Sequence, residues 1–201
     1  MPRAGLSREA VTELAVELVD STPDGFDGLT LAAVAGRAGV AVPSLYKHVG
    51  SLADLRRSVA LVGMAELLRR STASTEGRVR EDALRALGRA IRRFAAEHPG
   101  LYAATQIAPR FEPGDGDVGD PVWLALAQAA TDTVDVVSSV LLGFGLPEQR
   151  TVDAVRATRA AIHGFVELEA HGGFGMPDDV DRSFEALLDV LVAGIAQLAR
   201  N

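Results

Sequence analysis

The stretch LTLAAVAGRAGVAVPSLYKHVGSLADL, residues 29–55, decides the fold of the first part of the chain. Thr30 is placed to cap a helix over residues 31–38, because a threonine oxygen can accept a hydrogen bond from a free N–H group of the first turn. Gly39 can adopt the left-handed conformation that ends a helix, and Pro43 lies where a new helix would begin. Residues 31–49 are therefore predicted to form a helix, a tight turn and a second helix.

The second of these helices is predicted to have an apolar and a polar face. At about 100° per residue, its apolar side chains fall on one side and its small, polar and cationic side chains on the other. The first set is Val42, Leu45 and Val49, and the second is Ser44, Lys47 and His48, flanked by Pro43 and Tyr46. A helix that reads the major groove of DNA needs this arrangement, although an ordinary exposed helix shows the same spacing.

Helical spacing continues along the rest of the chain, and we expect an all-α protein of about nine helices. Ser7 can cap a helix over residues 7–20, and Ser51 with Asp54 resembles a capping box before a helix over 52–68. Further helices are predicted over residues 79–97, 101–109, 121–144, 148–171 and 178–199. The predicted organisation is a helix-turn-helix head over 1–55, a connecting helix and linker over 56–78, and a helical domain over 79–201.

Length and composition exclude several classes of protein. The chain has 201 residues, of which 48% are hydrophobic, so it is neither a disordered tail nor a disulfide-stapled miniprotein. The absence of cysteine excludes disulfides and cysteine-ligated metal sites, and it fits a reducing compartment. The longest run without a charged residue, 136–147, is shorter than a membrane span requires. We expect a cytoplasmic protein with no membrane partner.

Charge is distributed unevenly along the chain. The net charge is −7, and residues 1–80 contain ten basic and nine acidic residues, whereas residues 81–201 contain ten and eighteen. A chain of this charge is not a basic coat for nucleic acid, so any binding to nucleic acid must be local.

Residues 29–55 resemble the N-terminal DNA-binding region of the TetR family of bacterial transcriptional regulators. The Ala-Gly-Val turn at 38–40 and the Leu-Tyr-x-His-Val stretch at 45–49 are in register with the family pattern. The resemblance implies that Thr30 contacts a DNA phosphate. It also implies that the groove and its flanking phosphates are contacted by Pro43, Ser44, Tyr46, Lys47 and His48.

Two positions depart from the family pattern. Ala41 stands where a serine or threonine usually caps the second helix, which removes a contribution of about 0.5–2 kcal/mol. Leu52 stands where a phosphate-contacting lysine is common. These departures support a second hypothesis, an all-α small-molecule carrier or sensor whose DNA-binding head is vestigial.

The last predicted helix has an apolar face broader than one core needs. The face consists of Val180, Phe184, Leu187, Leu188, Leu191, Val192, Ile195 and Leu198. In the TetR family the last two long helices pair with their copies, and the resemblance implies that residues 152–171 and 178–199 form this homodimer interface. The interface residues are then predicted to be Phe184, Leu187, Leu188, Leu191 and Ile195. The alternative is a helix buried deeply in a monomer.

A small-molecule site is predicted in the second part of the chain. The apolar stripe of Val152, Val155, Ile162 and Val166 also contains Arg156, Arg159 and His163. A buried cation is costly unless it is paired, so we expect a carboxylate, the polar part of a ligand, or water at the edge of the stripe. An apolar cavity is predicted to be lined by Tyr102, Gln106, Phe111, Trp123 and Phe144, unless these side chains belong to the core.

The positions of Trp123 and of His163-Gly164 resemble a TetR subgroup with a Trp and His-Gly signature in its C-terminal domain. His163, Glu167 and His171 lie on one side of a helix but span about 12 Å, so they cannot all bind one metal ion. We expect no metal, no cofactor and no catalytic residues, because motifs of nucleophilic elbows, phosphate loops and zinc hydrolases are absent from the sequence.

The sequence therefore predicts a ligand-responsive repressor that binds a palindromic operator in double-stranded DNA as a homodimer and responds to an unknown small-molecule effector. The carrier with a vestigial head is the second hypothesis, and an enzyme is the third.

Overall fold

The computed structural model describes residues 6–22, 24–107 and 119–200, and all regular structure in these ranges is helical. The predicted all-α class is therefore confirmed. The helices, in chain order, are α1 Arg8–Ser21, α2 Leu31–Ala38, α3 Val42–Leu45, α4 Leu52–Thr75, α5 Arg80–Glu97, α6 Pro99–Ala104, α7 Pro121–Leu142, α8 Glu148–Ala170 and α9 Val180–Arg200.

Three helices, α3, α4 and α6, differ from their predicted bounds by more than two residues at one end, and α6 ends at Ala104 instead of residue 109. α3 ends at Leu45 instead of continuing to residue 49, and residues 46–48 form a turn. α4 continues through Thr75 without a break, because the polar residues that follow position 68 are compatible with an exposed helix. α6 begins at Pro99, since proline lacks only an N–H group that the first turn of a helix leaves unpaired.

The chain divides into two compact units. Unit 1 comprises residues 1–66 and 98–130, and unit 2 comprises residues 67–97 and 131–201. This division differs from the predicted domains, because α6 and the first part of α7 belong with the N-terminal head. No local sequence pattern indicates that residues 98–130 belong with the N-terminal head.

In unit 1, α6 packs closely against the end of α1. The carboxylate of Asp20 contacts the His98 ring nitrogen Nδ1 at 2.8 Å and accepts a hydrogen bond from the Leu101 N–H at 2.9 Å. Asp20 thus caps the first turn of α6, where a negative charge is favourable, from a different helix. A Cβ atom on Gly100 would lie 2.0 Å from the carbonyl oxygen of Val19, so only glycine fits at this contact.

The core of unit 2 is a cluster of apolar side chains from four helices and the turn after α7. It contains Ala83, Leu84, Leu87, Val140, Leu141, Phe144, Leu146, Ala154, Val192 and Ile195. Gly88 lets α5 approach α9, because a Cβ atom there would lie 2.6 Å from a methyl group of Leu188.

Ion pairs between α5 and α9 fix the antiparallel register of these two helices in unit 2. Arg85 contacts Asp189 at 2.6 Å, Arg89 contacts Glu185 at 2.5 Å, and Arg92 contacts Asp181 at 2.7 Å. The residue numbers rise along α5 while they fall along α9. The hydrogen bond from Arg89 holds the pKa of the Glu185 carboxyl below its usual value.

Arg92 lies at the junction of α5, α8 and α9. Besides Asp181, its guanidinium binds the Glu169 carboxylate at 2.5 Å. Its charged group also lies 5.7 Å from the ring centroid of Phe165 and 4.8 Å from that of Phe184, distances typical of cation–π contacts. The carboxylates of Glu169 and Asp181 raise the pKa of Arg92, chiefly through the hydrogen bond to Glu169.

By length and composition alone, one described helix, α7, could cross a membrane, with a mean hydropathy of 1.2 over 18 residues. The charge-free run used in the sequence prediction missed it, because every such window contains Asp132 and Asp135. This is weak evidence for a membrane span, since core helices of globular proteins pass the same test and a central aspartate costs about 2.5–3.5 kcal/mol in a bilayer.

Candidate functional site

The helix-turn-helix forms through the local signals that the sequence contains. The Thr30 hydroxyl accepts a hydrogen bond from the Ala33 N–H at 3.2 Å, and Gly39 has φ 67° and ψ 33°, which is the left-handed conformation. Both predicted caps of α2 are thus confirmed. Ala41 makes no side-chain cap, as expected, and Pro43 lies in the first turn of α3.

The predicted two faces of residues 42–49 are present except at Val42, which is only half-buried. Leu45 and Val49 are fully buried in unit 1. Pro43, Tyr46 and Lys47 are exposed, Tyr46 by 56% although it is a large aromatic residue. The remaining candidates are the exposed Thr30 and the half-buried Ser44 and His48. The end of α3 and the turn after it therefore present aromatic, cationic and hydrogen-bonding groups to solvent.

The charge around this surface differs from that of the whole chain. Residues 28–53 contain no aspartate or glutamate, although the chain has a net charge of −7. The two cations in this range are Arg37, which contacts Glu17 at 3.1 Å, and Lys47. An anionic ligand such as a DNA phosphate would meet no carboxylate of residues 28–53.

Two side chains of α4 contact the chain on either side of the helix-turn-helix. The Asp54 carboxylate accepts hydrogen bonds from the Gly50 N–H at 2.8 Å and from the Arg8 guanidinium at 2.6 and 3.0 Å. Arg56 donates to the carbonyl oxygens of Asp27 and Leu29 at 2.8 and 3.4 Å. The predicted hydrogen bond from the Asp54 N–H to Ser51 is present at 3.0 Å.

Sequence reasoning missed the roles of Arg8 and Arg56. From the sequence alone, Arg3 and Arg8 could equally form a basic N-terminal arm or be solvated charges near the chain end, and Arg3 lies outside the described residues. For Arg8, the available signal was Asp54 at the start of an apolar run. A carboxylate that becomes buried there requires a cationic partner.

The predicted ligand-binding residues lie in both units. Tyr102 and Trp123 are buried in unit 1, and the side-chain amide of Gln106 donates to the Thr105 hydroxyl at 2.9 Å. Phe144 belongs to the apolar cluster of unit 2, which agrees with its alternative interpretation as a core residue. Phe111 lies outside the described residues. A binding role for Tyr102, Gln106 and Trp123 stays a prediction.

Arg156 and Arg159 are exposed on α8, which agrees with the alternative of water at the edge of the stripe. The buried side of α8 consists of Thr151, Ala154, Thr158, Ile162 and Val166. The predicted stripe failed because Val152, one of its members, is 56% exposed, whereas alanine and threonine make up the first half of the buried side. His163 is half-buried, with Nδ1 3.9 Å from a Glu167 oxygen.

Three of the five predicted interface residues are core residues of unit 2. Phe184, Leu188 and Ile195 are at most 3% exposed, so their side chains leave almost no surface for a partner. The alternative of a buried helix describes them correctly. Leu187 and Leu191 are half-buried, and their contact with a partner stays a prediction.

Comparison with known proteins identifies the family. A family model described as "Tetracyclin repressor-like, C-terminal domain" matches residues 84–191, more than half of the chain. The chain belongs to the TetR family of transcriptional regulators. This TetR-family chain is 36% identical over 178 residues to the uncharacterised HTH-type transcriptional regulator Rv0681 of Mycobacterium tuberculosis, covering 89% of this chain and 75% of that protein.

A second relative is the uncharacterised HTH-type transcriptional regulator YobS of Bacillus subtilis. It is 28% identical over 195 residues, which cover 96% of this chain and 95% of the relative. Because the relatives match through the helix-turn-helix head as well as the C-terminal domain, the chain is a DNA-binding transcriptional regulator. The subgroup with a Trp and His-Gly signature stays a prediction.

Solved structures show the same fold. A protein of unknown function from Rhodococcus sp. RHA1 has 26% identity and a TM-score of 0.71, over 98% of this chain and all of that chain. A TetR variant from Acinetobacter baumannii, solved in complex with minocycline, has 24% identity and a TM-score of 0.68, over 96% of this chain and 98% of that chain.

Proposed function

We propose that this regulator is a ligand-responsive repressor that binds a palindromic operator as a homodimer through residues 30–49, called here the reading segment. The observation that carries the proposal is the exposed Tyr46-Lys47 pair next to a buried Leu45, in a segment without carboxylates. The turn that contains this pair is anchored to the core by Leu45. An exposed ring beside a cation favours binding to a polyanion, because the cation attracts phosphates and the ring can pack against nucleotides.

The proposed contacts divide into two classes. Lys47 and the hydroxyl of Thr30 bind phosphates, which sets affinity without regard to sequence. Ser44, Tyr46 and His48 carry the hydrogen-bonding groups that read base edges in the major groove. Pro43 packs beside them at the start of α3. Two such segments, about 34 Å apart in a dimer, would read successive half-sites of a palindrome.

The proposed salt dependence has a direct test in Lys47→Ala. Removing one phosphate contact weakens binding to every duplex and lowers the slope of log affinity against log salt by about 1. The measurement is fluorescence anisotropy with a mixed-sequence duplex at several salt concentrations. Arg78→Ala serves as the control, because Arg78 lies between α4 and α5, outside the reading segment, where it donates to the Ser74 carbonyl at 3.0 Å, and its loss should leave the slope unchanged. A wild-type slope for Lys47→Ala would remove Lys47 from the phosphate contacts.

The proposed dimer surface is the outer face of α8 and α9, and not the buried residues predicted from the sequence. Glycine within a helix costs about 1 kcal/mol relative to alanine, and close approach of another backbone is one way to offset this cost. The reason for Gly88 is its contact with Leu188. A Cβ atom on Gly164 in α8 or on Gly194 in α9 would meet nothing within 4 Å in the chain itself. A second copy of the chain that approaches the two helix backbones at these positions would explain both glycines.

Exposed apolar groups and charges on these helices favour a second copy of the chain as the partner. Leu168 is 51% exposed and Val190 is 69% exposed. Arg159 precedes His163 by four residues, and Glu167 follows it by four. If two α8 helices cross antiparallel beside Gly164, Arg159 of one copy lies opposite Glu167 of the partner subunit, and the reverse pair forms by symmetry.

The dimer surface is tested by Gly164→Ala. In the isolated chain the added methyl group has free space and raises helix propensity, so folding is unchanged or slightly stabilised. In the dimer it separates the helix backbones, and we expect the dissociation constant to rise at least tenfold in sedimentation velocity experiments over a concentration series. Gly36→Ala in α2, also without neighbours, is the matched control. Wild-type association of Gly164→Ala would refute this surface.

The proposed response to an effector involves α4, which contains residues of both units. A small molecule near Tyr102, Gln106 and Trp123 would shift the orientation of α4 and change the separation of the two heads. Such coupling requires that the effector bind the two dimer geometries with different affinities. The minocycline complex of the Acinetobacter baumannii relative supports a small-molecule effector of some kind.

A further inference from the structure

The reading segment is attached at both ends to the same helix. Gly50, the residue that follows it, donates its N–H to the Asp54 carboxylate at 2.8 Å. Residues 27–29, which precede it, accept hydrogen bonds from Arg56 through two carbonyl oxygens. Asp54 and Arg56 lie two residues apart at the start of α4, so that their side chains extend from different sides of one rigid element.

The contact at the C-terminal end goes beyond an ordinary helix cap. In a capping box the carboxylate would return to the N–H of Ser51. Here it binds the N–H of Gly50, one residue closer to the reading segment. Asp54 is only 7% exposed, and its charge is balanced by two hydrogen bonds from Arg8 at 2.6 and 3.0 Å. The carboxylate therefore joins α1, α4 and the turn after α3.

The contact at the N-terminal end depends on the shape of the arginine side chain. One guanidinium nitrogen donates to the carbonyls of Asp27 and Leu29, and the guanidinium carbon lies 5.5 Å from the centroid of the Phe26 ring. A planar guanidinium can stack on a ring while it donates in its own plane, which an ammonium group cannot do. Arg56 thus fixes the loop that ends at Thr30, the cap of α2.

We propose that Asp54 and Arg56 are positioning residues for DNA recognition: they fix the two ends of the reading segment on α4, so that its base-reading groups keep a defined geometry. Neither residue contacts DNA in this proposal, which rests on the proposed role of residues 30–49. Base readout depends on directional hydrogen bonds and therefore on positions held within about 0.5 Å, whereas attraction to phosphates tolerates larger shifts.

The test compares Arg56→Lys with Arg57→Lys. Both variants keep the charge, and Arg57 is the neighbouring α4 residue that contacts Asp120 at 3.4 Å, outside the reading segment. Affinity is measured by anisotropy for a duplex that the wild-type protein selects from a random pool and for a scrambled duplex of equal length. We expect Arg56→Lys to lower the ratio of the two affinities at least tenfold, with unchanged binding and salt slope on the scrambled duplex. Arg57→Lys should keep the wild-type ratio.

Asp54→Asn tests the other end in the same assay. The amide keeps an acceptor for the Gly50 N–H but removes the charge that Arg8 requires, so we expect a similar loss of ratio and faster amide exchange at Gly50.

Thermal unfolding establishes which variants are folded, and Arg56→Lys decides the proposal because it keeps the charge of a half-buried side chain. A folded Arg56→Lys with a ratio within twofold of wild type overturns the proposal, as does an equal loss on both duplexes. If the Tyr46→Ala/Lys47→Ala double variant also binds the selected duplex like wild type, the proposed role of the reading segment itself is wrong.

Discussion

Gly100→Ala is expected to destabilise unit 1 strongly. The new Cβ atom would lie 2.0 Å from the carbonyl oxygen and 2.3 Å from the carbonyl carbon of Val19, both backbone atoms that cannot rotate away. Overpacking of this kind typically costs about 1–3 kcal/mol, and we expect the upper end because α1 or α6 must move as a whole. For a chain of this length the midpoint of thermal unfolding should fall by about 6 °C or more.

Gly36→Ala is the matched control for this substitution. Gly36 also lies within a helix of unit 1, but a Cβ atom there meets nothing within 4 Å. The alanine should therefore stabilise the protein by about 0.4–1 kcal/mol through its higher helix propensity. The close packing of α6 on α1 would be contradicted if Gly100→Ala melted within one degree of the wild type.

Phe184→Ala is expected to have the second large effect, in unit 2. Phe184 is 1% exposed and its ring contacts Phe165, with centroids 5.0 Å apart, and the Arg92 guanidinium. Truncation of a buried phenylalanine costs about 3–5 kcal/mol, because apolar contacts are lost and a cavity remains. The free energy of unfolding in urea should fall by this amount at every protein concentration.

This result separates a core residue from an interface residue. A side chain at a dimer contact would alter association and leave the unfolding of the dissociated chain nearly unchanged. That second behaviour is expected of Val190→Ala on the exposed side of α9, with a change in unfolding free energy below about 0.5 kcal/mol for the dissociated chain. Wild-type stability of Phe184→Ala would restore the interface role predicted from the sequence.

The parts of the fold that could be predicted from the sequence depend on neighbouring residues. Thr30 and Gly39 delimit α2 through contacts with residues at most five positions away, so their types alone indicate the helix bounds. Leu45 and Val49 face the core because helical periodicity and hydrophobicity agree at these positions. The candidate DNA surface follows from the same short-range rules.

The remaining features depend on residues distant in sequence. Arg8 and Asp54 are 46 positions apart, and no local pattern pairs them. On α8 the buried side begins with Thr151 and Ala154 and leaves Val152 exposed, because the neighbours of a helix, and not its most apolar stripe, decide which side is buried. The sequence predicts that the apolar face of α9 is broader than one core requires. In the structure, the central residues of that face are buried within unit 2.

The most direct test of DNA recognition by the reading segment is selection of bound sequences from a pool of random duplexes. The wild-type protein is compared with the Tyr46→Ala/Lys47→Ala double variant, and Arg78→Ala, which lies outside the reading segment, serves as a folded control. We expect wild type and Arg78→Ala to enrich the same near-palindromic sequence, and the double variant to enrich none. Enrichment of that sequence by the double variant, or no enrichment by the wild type even at low salt, would contradict the assignment.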